Sequence, residues 1–101
     1  MNSILINDFI KISSSVNIID IRSFEDYNID HIPGAINIPF EKLLLYPNNY
    51  LLKNLKYYIY CDKGLSSSNV CSILNKQGFD TVSVDGGYNA WLLNKKGSVE
   101  S

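Results

Sequence analysis

Four short apolar runs, each followed by a stretch of helical character, constrain the fold of this chain more than any other feature. "VNIIDI" (16–21) is too short and too rich in β-branched residues for a helix and reads as a buried strand. "AINI" (35–38), "KYYIY" (56–60) and "TVSV" (81–84) read the same way. Between them lie helical segments. Ser23 can cap a helix in which Asp26 completes a capping box, and Phe24, Tyr27 and Ile29 are expected to turn toward the core before the Pro33-Gly34 turn. "FEKLLLY" (40–46) predicts a helix that "PNNY" (47–50) breaks. Residues 66–77 set Val70, Cys71, Ile73 and Leu74 on a helical face that stops at Gly78, and "GGYNAWLLN" (86–94) begins a last helix. Strands and helices in alternation, joined by short connections, predict an α/β fold with a central parallel sheet and helices on both faces. Ligands gather at the carboxyl ends of such strands. Cys61 lies at one of these ends and Asp20 at another, with Asp85 close to a third.

At 101 residues the chain has room for one core, so a single domain is expected over 1–101. A formal net charge of −1 offers no electrostatic attraction for nucleic acid or anionic lipid. No apolar run approaches the roughly 20 residues that span a bilayer, so no membrane association is expected. The start, "MNSILINDFIKIS", lacks the basic flank, long apolar stretch and cleavage site of a signal peptide. Two cysteines ten positions apart fit neither a disulfide framework nor a C-x-x-C redox or metal pair. Reduced thiols, a cytoplasmic location, no metal, no cofactor and a monomer are the expectations.

The loop after "KYYIY" carries the chemistry. "CDKGLSS" (61–67) runs from a strand end to a helix start, where backbone N–H groups can turn inward toward the cysteine sulfur. Gly64 allows the torsions such a cradle needs, and a helix beginning near Ser66 adds its positive dipole end. Together these form an anion site, for the thiolate of Cys61, a bound oxyanion, or both in turn. An unassisted thiol is only a few per cent thiolate at neutral pH, so the cradle is what would make a nucleophile without a histidine partner. The only histidine, His31, lies in the Pro-Gly turn and is expected to bond within it. Ser66 and Ser67 are expected to cap the helix first and to donate to the sulfur second. Lys63 is a solvated charge or an attractor of substrate. Cys71 shares a helical face with Val70 and Leu74 and reads as core, as does Trp91.

At these residues the sequence resembles the rhodanese family of sulfurtransferases, in its short single-domain form. "IIDIRSFEDYNIDHIPGAINIP" is similar to the family's Asp-x-Arg strand end and its His-Ile-Pro-Gly-Ala segment. "YIYCDKGLSSS" resembles the strand, catalytic cysteine and six-residue loop, and "GFDTVSVDGGYNAW" resembles the terminal strand, double glycine and tryptophan. The resemblance implies a rhodanese-like three-layer fold with Cys61 as the catalytic residue. Asp62, Lys63, Gly64, Leu65, Ser66 and Ser67 would form the loop that holds substrate and persulfide, while Asp20 and Arg22 would pair and shape the pocket floor. It implies thiosulfate, or another sulfane-sulfur donor, as substrate, a Cys61 persulfide as intermediate, and cyanide or a thiol as acceptor. Ser66 departs from the Arg that many members carry at that loop position, which implies a substrate grip that is either weakened or moved to Lys63. Asp26 and Asp30 depart from the usual Glu and Gly.

Two other functions compete. A persulfide relay module, exchanging sulfur with a protein donor or acceptor, needs no oxyanion clamp and so suits a loop without Arg. A cysteine phosphatase or arsenate reductase of the same architecture is disfavoured. Such an enzyme uses a longer loop ending in Arg to hold a tetrahedral oxyanion, and no Arg follows Cys61.

Overall fold

The structure, a computed structural model, describes residues 2–100, with side chains described as far as Lys95. In chain order its elements are β1 (Ser3–Ile4), α1 (Ile6–Ile12), a 3-10 turn (Ser13–Ser15), β2 (Asn17–Asp20), α2 (Phe24–Ile29) and β3 (Ile36–Asn37). There follow α3 (Phe40–Leu45), α4 (Pro47–Tyr50), β4 (Lys56–Tyr60), α5 (Leu65–Lys76), β5 (Asp80–Val84) and α6 (Gly87–Glu100). The strands form one sheet in the order β1-β5-β4-β2-β3, and every pair is parallel. Among the described residues no helix is long and apolar enough to cross a membrane.

Successive side chains of a strand point to opposite faces, and both faces of this sheet are covered. Ile19, Tyr57 and Ile59 face one layer, where they meet Leu43, Val70, Cys71 and Leu74 from α3 and α5. Ile18 and Tyr60 face the other, with Phe9 of α1, Tyr27 of α2, and Tyr88 and Trp91 of α6. Each fully buried Ile, Leu or Phe in these layers contributes on the order of 1.5–3 kcal/mol by leaving water. The three-layer α/β architecture expected from the alternating pattern is the one observed.

Several local expectations need correction. Phe24 and Ile29 do not enter the core: they are 60% and 83% exposed, and Tyr27 alone of the three packs inward, donating its hydroxyl to the Ala35 carbonyl at 2.7 Å. A helix of six residues has too few turns to present three inward positions. Ser23 does cap this helix, accepting from the Asp26 N–H at 3.2 Å. "PNNY" is not a break but a further helical turn, since Pro47 stands at its start, where a missing N–H costs nothing. Ile73 stays exposed, at 43%, whereas Val70, Cys71 and Leu74 are buried. His31 bonds the Tyr27 carbonyl through Nδ1 at 2.9 Å and stacks on the Tyr27 ring, so its partner lies in α2 and not in the Pro-Gly turn where the sequence placed it.

Candidate active site

β4 is the middle strand, paired with β2 on one side and β5 on the other. Its last residue, Tyr60, is followed directly by Cys61, whose side chain is buried. The chain then turns through Asp62 and Lys63 to Gly64, which has φ +96°, and α5 starts at Leu65. Only a residue without a Cβ enters this conformation easily, and here a Cβ would also stand 2.9 Å from the backbone nitrogen of Gly86.

That turn aims two N–H donors at the sulfur. Gly64 N–H reaches Cys61 Sγ at 3.2 Å and Ser67 N–H at 3.3 Å. The Ser67 hydroxyl is 3.5 Å from Sγ and 2.8 Å from the hydroxyl of Ser83 on β5, and it also donates to the Gly64 carbonyl at 3.3 Å. Neither Ser66 nor Ser67 caps α5 through its side chain: the N-cap is Gly64, and the Ser67 hydroxyl is turned back toward sulfur. The helix begins one residue earlier than the sequence suggested, which places Ser67 in its first turn with its N–H free to point at the cysteine.

The carbonyls at this turn are held from the other side. Tyr88 N–H donates to the Cys61 carbonyl at 2.8 Å, and Asn89 N–H donates to the Asp62 carbonyl at 2.9 Å. The first turn of α6 therefore fixes two peptide planes at the start of the loop. Gly87, with φ +56°, sits against them so closely that a Cβ would lie 2.2 Å from the Cys61 carbonyl oxygen.

Behind the loop lies a buried polar hub. Asp20 accepts from the Arg22 backbone N–H at 2.8 Å, from Arg22 Nε at 3.1 Å, from Arg22 Nη2 at 2.8 Å and from the Tyr60 hydroxyl at 2.7 Å. Tyr60 in turn accepts from Ile32 N–H at 3.1 Å. Burial and then the hydrogen bond to Asp20 push the Tyr60 phenol above its ordinary range, so it stays a donor. Arg22 is held protonated: burial opposes the charge, but the hydrogen bonds and charge of Asp20 outweigh it. Tyr88 lies over the guanidinium, its ring centroid 4.1 Å from Cζ, and donates to a carboxylate oxygen of Asp30. Burial, followed by that bond, pushes the Tyr88 hydroxyl up to about 12.

A cavity of about 360 Å³ opens over Cys61, lined by Arg22, Asp62, Lys63, Leu65, Ser66 and Ser23, with Ile21 and Phe40 on its apolar side. The candidate residues Cys61, Asp62, Lys63, Leu65, Ser66 and Arg22 thus converge on one space, and Gly64 and Ser67 bond the sulfur from its edge. Asp20 stands behind Arg22, and Asp85 lines a different cavity of about 600 Å³ with Cys71, Ser68 and Lys76. Sequence reasoning missed Ser83, Tyr60 and Tyr88. Only Ser83 left a signal: Thr81 and Ser83 are hydroxyl residues two apart in a strand, hence on one face, and both are buried under α5.

Cys71 differs from Cys61 in its surroundings. Burial pushes its thiol up from the ordinary 9.0 to about 11, and the sulfur lies among core side chains. A thiol raised in this way stays protonated until the pH approaches the upper value. In the folded protein Cys71 is expected to resist iodoacetamide at pH 8 and to gain reactivity only as the pH nears 11, whereas denaturant should expose it at once. Mass spectrometry of time-quenched samples reads this directly, and rapid labelling of native Cys71 at pH 8 would contradict it. The same shift lowers stability as pH rises from about 9 to about 11, because the unfolded chain releases this proton first.

A buried cysteine at the end of the central strand of a parallel sheet, with two backbone N–H groups directed at its sulfur, defines the class of α/β domains built around a loop-cradled cysteine. The rhodanese-like domain matches residues 6–94, and the chain belongs to that family. It is 39% identical over 80 residues to the thiosulfate sulfurtransferase GlpE of Shewanella oneidensis, covering 78% of each chain. The same enzyme of Coxiella burnetii is 35% identical over 75 residues, covering 73% of this chain and 69% of its own. Among solved structures, a rhodanese-like domain protein from Staphylococcus aureus superposes with a TM-score of 0.82 at 34% identity, over 90% of this chain and 91% of that one. These relatives support sulfur transfer of the rhodanese type.

Proposed function

We propose that the protein is a thiosulfate sulfurtransferase that carries sulfane sulfur on Cys61. The observation that carries this reading is the pair of N–H groups, from Gly64 and Ser67, directed at Sγ. Donors in that arrangement favour an anionic sulfur, and both the attacking thiolate and the persulfide that follows are anionic. In the first half-reaction the Cys61 thiolate attacks the outer sulfur of thiosulfate. A Cys61 S–S bond forms, the S–S bond of thiosulfate breaks, and its electron pair leaves with sulfite. In the second, cyanide or a thiolate attacks the terminal sulfur and takes it as thiocyanate or a new persulfide, restoring the Cys61 thiolate. No net oxidant is consumed.

The cavity over Cys61 has room for a small inorganic donor, and Lys63 on its rim supplies positive charge. The protein is expected to gain one sulfur atom when incubated with thiosulfate, to lose it with cyanide, and to gain none as Cys61→Ser. Intact-mass spectrometry of the wild type, Cys61→Ser and Cys71→Ser decides this. No uptake from thiosulfate, with fast uptake from a protein persulfide, would replace the enzyme with a relay module. Uptake that survives Cys61→Ser would overturn both.

A further inference from the structure

The cavity over Cys61 contains a cationic group that the hydrogen bonding leaves free. Arg22 Nε and Nη2 are fully occupied: both face Asp20, and Nη2 also donates to the Asp30 carbonyl at 2.7 Å. Among the described residues Nη1 makes no hydrogen bond, and its ion pair with the Asp62 carboxylate, at 3.8 Å, is beyond hydrogen-bond length. The Arg22 side chain is only 5% exposed, yet among the described residues no buried side-chain nitrogen or oxygen lacks a partner. Nη1 is therefore the part of the guanidinium that meets open space. Arg22 borders two such spaces. Asp62 borders both, but the smaller, of about 260 Å³, is also rimmed by Asp26 and Asp30, whose carboxylates repel an anion. The larger is the cavity that holds Cys61, where Lys63 adds a second positive charge.

From this geometry we infer that Arg22 Nη1 is an oxyanion-binding group for the donor, and that Asp62 is the internal carboxylate the donor displaces. The proposal rests on Cys61 being the sulfur-accepting residue, and adds to that reading the residue that grips the anionic end of the donor. Asp62 is suited to yielding: its side chain is 57% exposed, and among the described residues no hydrogen bond holds its carboxylate, so it can turn into solvent at small cost. Arg22 is suited to staying, because Asp20 fixes two of its nitrogens and Tyr88 covers its face. Nη1 carries two further N–H donors in the planar fork, which suit the sulfonate-like oxygens of thiosulfate. A neutral donor, or a protein persulfide without a nearby anion, gains nothing from this arrangement. The pair Arg22–Asp62 would thus set specificity for small anionic donors over neutral ones.

The test compares two alkylating agents of similar size, anionic iodoacetate and neutral iodoacetamide, acting on Cys61 of the full chain. Asp62→Asn removes the competing carboxylate and should raise the iodoacetate-to-iodoacetamide rate ratio by roughly five-fold, the effect of one charge a few ångströms away in a wet site. KM for thiosulfate should fall by a similar factor. In an Arg22→Lys background, which keeps the charge near Asp20 but lacks Nη1, the gain from Asp62→Asn should disappear. Because Arg22→Lys perturbs a buried pair, a second measurement needs no change at Arg22. With thiosulfate added to the Cys61→Ser protein, the 15N guanidinium resonances of Arg22 should shift at saturating anion. An unchanged alkylation ratio in Asp62→Asn, or an Arg22 signal that stays still while Lys63 and the loop amides respond, overturns the proposal. Alkylation and resonance shifts do not depend on sulfur transfer. If Cys61 takes no sulfur from thiosulfate, that failure shows in the mass experiment and leaves these readouts interpretable.

Discussion

Gly87→Ala is expected to reduce sulfur transfer at least about 100-fold, the cost of misplacing a reacting atom by about an ångström. The reason is steric and lies in the backbone. A Cβ at position 87 would stand 2.2 Å from the Cys61 carbonyl oxygen and 2.9 Å from the carbonyl carbon and oxygen of Asp62. None of these atoms is the end of a flexible side chain. Either the Cys61–Asp62 segment moves away, which breaks the bonds from Tyr88 and Asn89 and turns the sulfur, or the start of α6 moves. The left-handed torsion of Gly87 adds strain of about 1 kcal/mol or more for an L-residue. Initial rates of thiosulfate-dependent thiocyanate formation, paired with thermal unfolding, provide the check. A variant with full rate and unchanged midpoint would show that α6 does not hold the loop. A variant that stays folded but transfers sulfur slowly is the expected outcome, because the clash falls on the cysteine's own peptide unit.

The second large effect belongs to Asp20. Asp20→Ala leaves Arg22 buried without its counter-charge and takes the acceptor from the Tyr60 hydroxyl. Breaking a buried pair by removing one partner typically costs about 3–5 kcal/mol, a large share of the roughly 5–15 kcal/mol available to a small domain. The urea midpoint should therefore fall sharply, or the protein should fail to fold at 37 °C. Asp20→Asn keeps the shape and the acceptor oxygen while losing the charge, and is expected to be the milder change. Equal stability of Asp20→Ala and the wild type would mean that the hub contributes little. Equal damage from Ala and Asn would locate the whole effect in the charge.

How far the sequence leads depends on whether a feature is local. β2, β4 and β5 were legible because each is a run of apolar or β-branched residues whose strand character needs no partner to be seen. α5 was legible from the spacing of Val70, Cys71 and Leu74, and the loop before it from Cys61, Gly64 and the serines that follow. β1 was not, for it is two residues long and is a strand only because Ser3 and Ile4 pair with Ser83 and Val84 at the far end of the chain. α1 did leave a trace, with Ile6, Phe9 and Ile10 at helical spacing and Phe9 fully buried, but a helix of seven residues beside a Ser-rich turn is a faint signal. The inward placing of Phe24 failed for a related reason: a single turn of periodicity says which residues share a face, not whether anything lies opposite that face. In the site, the residue bonded to its sequence neighbours was readable and the residue bonded across space was not. Gly64 belongs to the first kind, and Ser83, Tyr60 and Tyr88 to the second.

The hold of α6 on the Cys61 loop also fixes an order of events during synthesis. The cysteine and its loop leave the ribosome before Tyr88 and Asn89 do, yet the two carbonyls at the start of the loop find their donors only when those residues arrive. β1 waits equally long, since its partner is β5. A nascent chain can therefore carry the Cys61 thiol before the bonds that hold its loop exist, and the loop is fixed only when α6 has docked behind it.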